Sequence, residues 1–227
     1  MILALDSSTA WAGVGLYDEN EGVLLEERIW RTGADHARQL MPEVDAALRA
    51  HGVARGDLTA VAVAVGPGTF NGVRVATTTA KLIAHALGLP LIGVDTLELH
   101  AAVALGTGML VRALLDAARG ELATALFRAG ARLERLEEDR IALPSSLLSP
   151  PAEPTLFVGE LPDRWREMLR PAGEPAVLAT PAQCVRRPGL LAELAVERLR
   201  RGEVDDAASL APLYLRQPHI TPPRARA

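Results

Sequence analysis

Residues 60–65 read AVAVAV, an apolar run with no polar face. A strand of that kind must be covered on both sides, so it belongs inside a parallel or mixed sheet flanked by helices. The chain continues as GPGTFNGVRV over 66–75, with glycines at 66, 68 and 72 leading into a helix expected over 72–87. A glycine turn that feeds a helix N-terminus presents free amides at the positive end of the helix dipole, which suits phosphate. The spacing matches neither the dinucleotide fingerprint nor a phosphate loop ending in Gly-Lys-Ser/Thr. Equally, Gly66 and Gly68 permit a sharp turn and close helix–sheet packing. Both readings of the loop stand on the sequence.

The remaining elements fall into a repeated order. Strands are expected at 2–5, 12–17 and 23–30, joined by the short polar turns DSSTA and DENEG. A helix follows in DHARQLMPEVDAALRAHG (35–52), where Ala37, Leu40, Met41, Val44 and Leu48 recur at helical spacing. Asp35 is its expected N-cap and Gly52 its stop, and Pro42 inside it allows a kink. After the strand at 60–65 and the helix at 72–87 come a strand at 91–94 and a helix at 96–105. The second half begins again with strands at 110–117, 121–127 and 132–138. A proline-rich loop at 143–154, with one helical turn at 145–149, leads to a strand at 155–159 and a helix at 161–169. A strand at 176–179 and a helix at 189–202 follow. The halves share one unit, three hairpin-linked strands and then alternating helices and strands, repeated in pattern and not in identity. The expected division is a lobe at 1–107, a second, degenerate lobe at 108–216, and a disordered tail at 217–227. That tail, QPHITPPRARA, is basic and proline-rich, and its charge alone could help hold RNA.

Composition narrows the function. The chain of 227 residues has a formal net charge of -4, whereas proteins that hold nucleic acid on their own surface are usually basic. Aromatic residues make up 4 %, too few for base-stacking platforms. The single cysteine, Cys184, excludes an internal disulfide and a cysteine metal cage. The N-terminus MILALDSST lacks the basic-then-apolar layout of a signal peptide, and no apolar run is long enough to span a membrane. The expectation is a cytoplasmic, soluble protein.

Few residues offer chemistry. Asp6 lies at the carboxyl end of the first strand, where ligands of open sheets sit. Ser7, Ser8 and Thr9 after it suit phosphate oxygens, and suit just as well a tight turn shaped by its own side-chain hydrogen bonds. His100 has no second histidine one turn away, so it does not make a zinc site. His36 and His51 flank the first helix as surface residues or partner contacts, and His85 sits at the edge of the second. No Ser-His-Asp set follows from spacing, and Asp116 and Glu121 bracket a hairpin.

Five stretches together resemble the bacterial TsaB (YeaZ) family: ILALDSST, HARQLMPEVDAAL, GPGTFNGVRV, LLDAARGEL and LAPLYLR. They span nearly the whole chain in order, with 130–180 weakly similar. The resemblance implies an α/β protein with the duplicated ribonuclease-H-like fold of actin, sugar kinases and chaperone ATPases, with mixed sheets and helices on both faces. It implies a role in making threonylcarbamoyladenosine beside the tRNA anticodon, as a non-catalytic partner that binds and activates the TsaD-type transferase. A small TsaE-like ATPase would join the assembly, and the chain alone would form a homodimer. Transfer RNA would be held mainly through the partner. The catalytic relative carries a His-x-x-x-His metal pair where this chain has Thr96 and His100, and a GGHT loop where it has DAARG (116–120). The resemblance therefore implies no catalytic residue, no metal and no required cofactor. Degenerate nucleotide contacts would fall on Asp6, Ser7, Ser8, Thr9, Gly66 and Gly68, with ATP or ADP at most shared at a partner interface. The partner surface is expected on the first two helices, at His36, Gln39, Leu40, Glu43, Val44, Ala47, Phe70, Val73, Arg74 and Thr77, where a protein of the same fold can pack as a helix bundle. The alternative is an independent ATPase or small-molecule kinase of this fold. It requires a catalytic carboxylate facing the nucleotide and a second glycine loop. A metalloprotease lacks its zinc pair.

Overall fold

The computed structural model describes residues 1–33, 35–147, 151–169 and 175–216. The tail at 217–227 lies outside the described residues, as do 148–149 of the expected helical turn, whose described part is a 3₁₀ turn at Pro144–Leu147. The first sheet contains β1 (Ile2–Asp6), β2 (Trp11–Asp18), β3 (Val23–Arg31), β4 (Ala60–Gly66) and β5 (Leu91–Asp95), in the order β3-β2-β1-β4-β5. The second contains β6 (Leu110–Asp116), β7 (Leu122–Ala129), β8 (Leu133–Ala142), β9 (Thr155–Val158) and β10 (Ala176–Leu178), in the order β8-β7-β6-β9-β10. In each sheet the first three strands pair antiparallel and the last two join parallel. The same order with the same strand directions, twice, is the duplicated ribonuclease-H-like fold.

The helices are α1 (His36–Ala50), α2 (Phe70–Leu87), α3 (Thr96–Ala101), α4 (Asp163–Leu169) and α5 (Pro188–Arg200). The alternation within β4 explains why AVAVAV is apolar throughout. Val61 and Val63 face α1 and α2, meeting Leu40, Val44, Ala76 and Ala80. Ala60, Ala62 and Ala64 face the other way, toward Leu191, Leu194 and Ala195 of α5. Period-two strands send alternate residues to opposite layers, and the alanines leave room for a helix to lie close.

Two helices pack across the expected division at 107/108. Helix α5 comes from the second half of the chain but covers the first sheet. Helix α3 comes from the first half, yet its Leu97 and Ala101 pack with Val111, Ala113 and Phe127 of the second sheet. A sheet buried on both faces takes whichever helix supplies the missing apolar layer, and sequence position does not decide it. Smaller differences are local. Helix α2 starts at Phe70, before residue 72, because Thr69 caps it by accepting from Gly72 N. Asp35 precedes α1 without a side-chain cap bond, and Gly52 follows it with φ +63° as the expected stop. Helix α3 ends at Ala101 and passes into a 3₁₀ turn, Ala102–Ala104. Strand β8 runs on to Ala142.

Candidate functional site

The turn after β1 and the glycine loop after β4 meet at the cleft between the sheets. They are locked onto each other. Thr69 N donates to Ser8 O at 2.6 Å, and Ser7 Oγ donates to Gly72 O at 2.7 Å. A Cβ on Gly68 would lie 2.1 Å from Ser8 O, and one on Gly72 2.1 Å from Ser7 O. These glycines are required by backbone contact inside the protein, the packing reading of the loop. Gly66 has φ +111°, and a Cβ there would lie 2.6 Å from Leu213 O. Leu213 belongs to an extended return segment after α5, held by Asp205 N donating to Leu91 O at 2.8 Å and Leu213 N donating to Val65 O at 2.7 Å.

Asp6 is buried, and both of its carboxylate oxygens are engaged. Ser8 donates its N–H and its hydroxyl to Oδ1 at 2.8 and 2.5 Å, and Arg186 Nε donates to Oδ2 at 2.6 Å. Arg186 also pairs through Nη1 with Glu160, just past β9, and donates through Nη2 to Thr9 Oγ1 at 3.0 Å. Thr9 in turn donates to Glu160 Oε2 at 2.6 Å. Burial opposes the charge of Arg186, but Asp6 and Glu160 outweigh it and hold the pKa above the ordinary arginine value. Burial pushes Glu160 up, with Arg186 and Thr9 partly offsetting it. The expected nucleotide contacts thus come together as a set, with their polar atoms turned on one another. The sequence reading missed Arg186 and Glu160. Asp6 and Arg186 are 180 positions apart, and nothing local in CVRRPG marks one arginine as buried.

Beyond this network the cleft stays open, with a volume of about 740 Å³. Its walls include Trp11, Leu115, Ile141, Leu161, Tyr214 and Cys184. His100 and Thr96 lie one turn apart on α3, both buried, and neither His100 Nε2 nor Thr96 Oγ1 has a partner among the described residues. Burial holds His100 neutral, reinforced by the charge of Arg186. Among the described residues, no group of three or more His, Cys, Asp or Glu side chains could hold a metal ion. None of the described helices is long and apolar enough to cross a membrane.

The expected partner surface needs correction. Leu40, Val44, Ala47, Val73 and Thr77 are buried under α1 and α2 against the chain's own sheet. An amphipathic helix turns its apolar stripe to its own core first. His36 is buried too, with its Nδ1 3.1 Å from Thr32 Oγ1, and burial pushes its pKa down while the Asp6 charge opposes. On the outer side remain Gln39, accepting from Trp30 Nε1 at 2.9 Å, and Glu43, accepting from Arg28 Nη1 at 3.1 Å. Phe70 is 41 % exposed, with Arg74 over its ring at 4.9 Å and Tyr214 against it at 5.4 Å between centroids.

The family model described as "TsaD: tRNA N6-adenosine threonylcarbamoyltransferase" matches residues 31–160. The chain is 32 % identical to the tRNA threonylcarbamoyladenosine biosynthesis protein TsaB of Bacillus subtilis (strain 168), over 95 % of this chain and 93 % of that protein. The chain belongs to the TsaB family. Two solved structures from Pseudomonas aeruginosa agree with this kinship. One, titled as an uncharacterized protein with similarity to peptidase YEAZ, has a TM-score of 0.81 at 28 % identity and covers 95 % of this chain and 99 % of its own. The other, titled YeaZ, has a TM-score of 0.80 at 25 % identity, covering 94 % and 99 %. TsaB-family proteins take part in tRNA threonylcarbamoyladenosine biosynthesis, which places this chain in that machinery.

Proposed function

We propose that the chain is a non-catalytic subunit that binds and activates a TsaD-type threonylcarbamoyltransferase acting on the adenosine beside the tRNA anticodon. The observation that carries this reading is the engagement of Asp6. A carboxylate with Arg186 on one oxygen and Ser8 on the other is not free to serve a nucleotide or a water. The chain needs no cofactor of its own, and ATP or ADP would be held at most together with a partner. The partner sits on the outer faces of α1 and α2, where Phe70 and Arg74 form an exposed aromatic–cation pair of the kind that anchors interfaces. A TsaE-like ATPase joins that assembly, transfer RNA is held mainly by the transferase, and the same surface pairs two copies when the partner is missing.

The test is co-purification with the transferase from the same organism, followed by a tRNA modification assay with and without this chain. Modification that requires both proteins is the expected result. The paired change Phe70→Asp and Arg74→Glu should weaken co-purification by at least about tenfold while leaving the circular dichroism spectrum intact. A second reading, an independent ATPase or small-molecule kinase, draws support from the cleft, whose volume of about 740 Å³ suits a small ligand. ATP turnover by the chain alone would put that reading first.

A further inference from the structure

Arg186 joins parts of the molecule that the chain brings from far apart. Its side chain is 1 % exposed. Its guanidinium reaches Asp6 and Thr9 on the first-sheet side, the Trp11 carbonyl at 3.4 Å, and Glu160 on the second-sheet side. We infer that Arg186 is a permanent internal clamp, supplying from within the chain the cation that ties the two lobes together across the inner end of the cleft, so that lobe closure needs neither nucleotide nor metal.

The chemistry suits that task. A guanidinium does not lose its proton in a protein, and its planar fork serves two carboxylates from fixed directions. A buried ion pair holds best when its geometry is good and its remaining donors find acceptors, and here Thr9 Oγ1 and the Trp11 carbonyl both accept from Nη2. Thr9 also bonds Glu160 directly, so the two turns are joined even apart from the arginine. His100, held neutral nearby, adds no second cation. Opening the inner cleft would part Glu160 from Arg186 and Thr9, while Asp6 keeps Arg186 and Ser8. The lobes are therefore either clamped or sharply destabilised at this point. A nucleotide phosphate would have to displace a tethered, desolvated cation from its two partners.

Hydrogen–deuterium exchange of the full chain tests this, with and without magnesium–ATP. Arg186→Met removes the charge and keeps a straight stem. The triple change Asp6→Asn, Glu160→Gln and Arg186→Met removes every charge of this network at nearly constant shape, and decides the matter if the single variant fails to fold. In the variants, the amides of 6–11 and 159–162 should exchange at least about tenfold faster, while β4 stays within about threefold of the wild type. Magnesium–ATP should leave the wild-type pattern unchanged. Wild-type protection of those segments in the folded triple variant would overturn the clamp, as would an equal loss of protection over the whole chain. So would slowed exchange of residues 6–11 in the wild type on adding magnesium–ATP. That last comparison decides even if neither variant folds. None of these readouts depends on whether a transferase binds.

Discussion

Asp95 caps α3 by accepting from Leu97 N at 2.6 Å and Glu98 N at 3.0 Å, and it also meets Asp139 of β8 across the boundary between the sheets. Arg135 pairs with both carboxylates, lying 3.3 Å from Asp95 Oδ2. Asp139 Oδ2 is buried with no donor among the described residues, which a proton on Asp95 would supply. Burial and then Asp139 push Asp95 up to about 8, with Arg135 opposing. Two carboxyl groups this close share a proton, and the titration belongs to the pair. The sign follows. The folded state holds a proton that the unfolded chain has released, so the stabilisation is complete below the ordinary carboxylate range and is lost as pH rises toward 8. Stability should therefore fall between roughly pH 4 and pH 8, by up to about 1.4 kcal/mol per pH unit from this pair. Asp95→Asn keeps a capping side chain and removes the titration. Urea unfolding across that window should show a flatter profile for the variant, and a variant more stable than the wild type at pH 9. Parallel profiles would disprove the shared proton. Gly68 makes a second prediction at this scale. Its missing Cβ would collide with the Ser8 carbonyl, which is already bonded to Thr69 N, so neither side can yield. Gly68→Ala should cost about 2–3 kcal/mol of stability in the chain alone, with no nucleotide present. Gly56, with nothing within 4 Å of its would-be Cβ, is the control and should tolerate alanine. A harmless Gly68→Ala would return the loop to the phosphate-binding reading.

The hairpin between β6 and β7 turns through three residues of positive φ: Ala118 at 60°, Arg119 at 53° and Gly120 at 80°. Asp116 accepts from Ala118 N at 2.9 Å, and Arg164 pairs with Asp116 at 3.1 Å, so the turn is pinned in this shape. Alanine pays a steric cost in the left-handed region that glycine does not. Ala118→Gly should stabilise the chain by about 0.5–1 kcal/mol, measured as a rise in the urea midpoint at unchanged slope, and a fall would mean that the turn relaxes in solution. Elements of this kind separate what could be read from the sequence from what could not. Strand and helix order was legible because it is written as local periodicity: AVAVAV for β4, the three hairpin strands of each half, the stripe at Leu40, Val44 and Leu48. That stripe was also misleading. Its period reveals a helix with one apolar side, and the chain's own sheet takes that side first, leaving Gln39, Glu43, Phe70 and Arg74 for anything else. The glycines were legible as a tight loop, but whether amides face a ligand or a neighbouring carbonyl depends on the turn at 6–9, far away in sequence. Arg186, Glu160, Asp139 and Arg135 were invisible for the same reason. A charged residue looks alike in sequence whether it is solvated or buried against a partner brought in by the fold.

At the scale of the whole molecule, the two ribonuclease-H-like sheets do not each keep their own helices. The first sheet has α1 and α2 on one face, but its other face, Ile2, Ala4, Ala62, Ile92 and Val94 among it, is closed by α5. After α5 the chain stays with the first sheet. Asp205 N donates to Leu91 O at 2.8 Å and its carboxylate accepts from Gly93 N at 2.7 Å, Lys81 Nζ donates to Leu210 O at 2.8 Å, and Leu213 crosses the glycine loop. The duplication visible in the order of strands should therefore not yield two independently stable halves. A sheet with one apolar face uncovered cannot offset the conformational entropy of folding, since burial of that face is the main favourable contribution. Residues 1–107 produced alone should aggregate or remain without a cooperative thermal transition. The same residues joined through a flexible linker to 188–216 should regain one, because that segment restores α5 and the strand-edge contacts of the return. Calorimetry and the dispersion of amide resonances distinguish the two states. A cooperative transition for 1–107 alone would mean that α5 is an accessory to a self-sufficient lobe. Its absence, with recovery on adding 188–216, would make the lobes interdependent, and would explain how a clamp at Arg186, on the segment that leads directly into α5, can act on both at once.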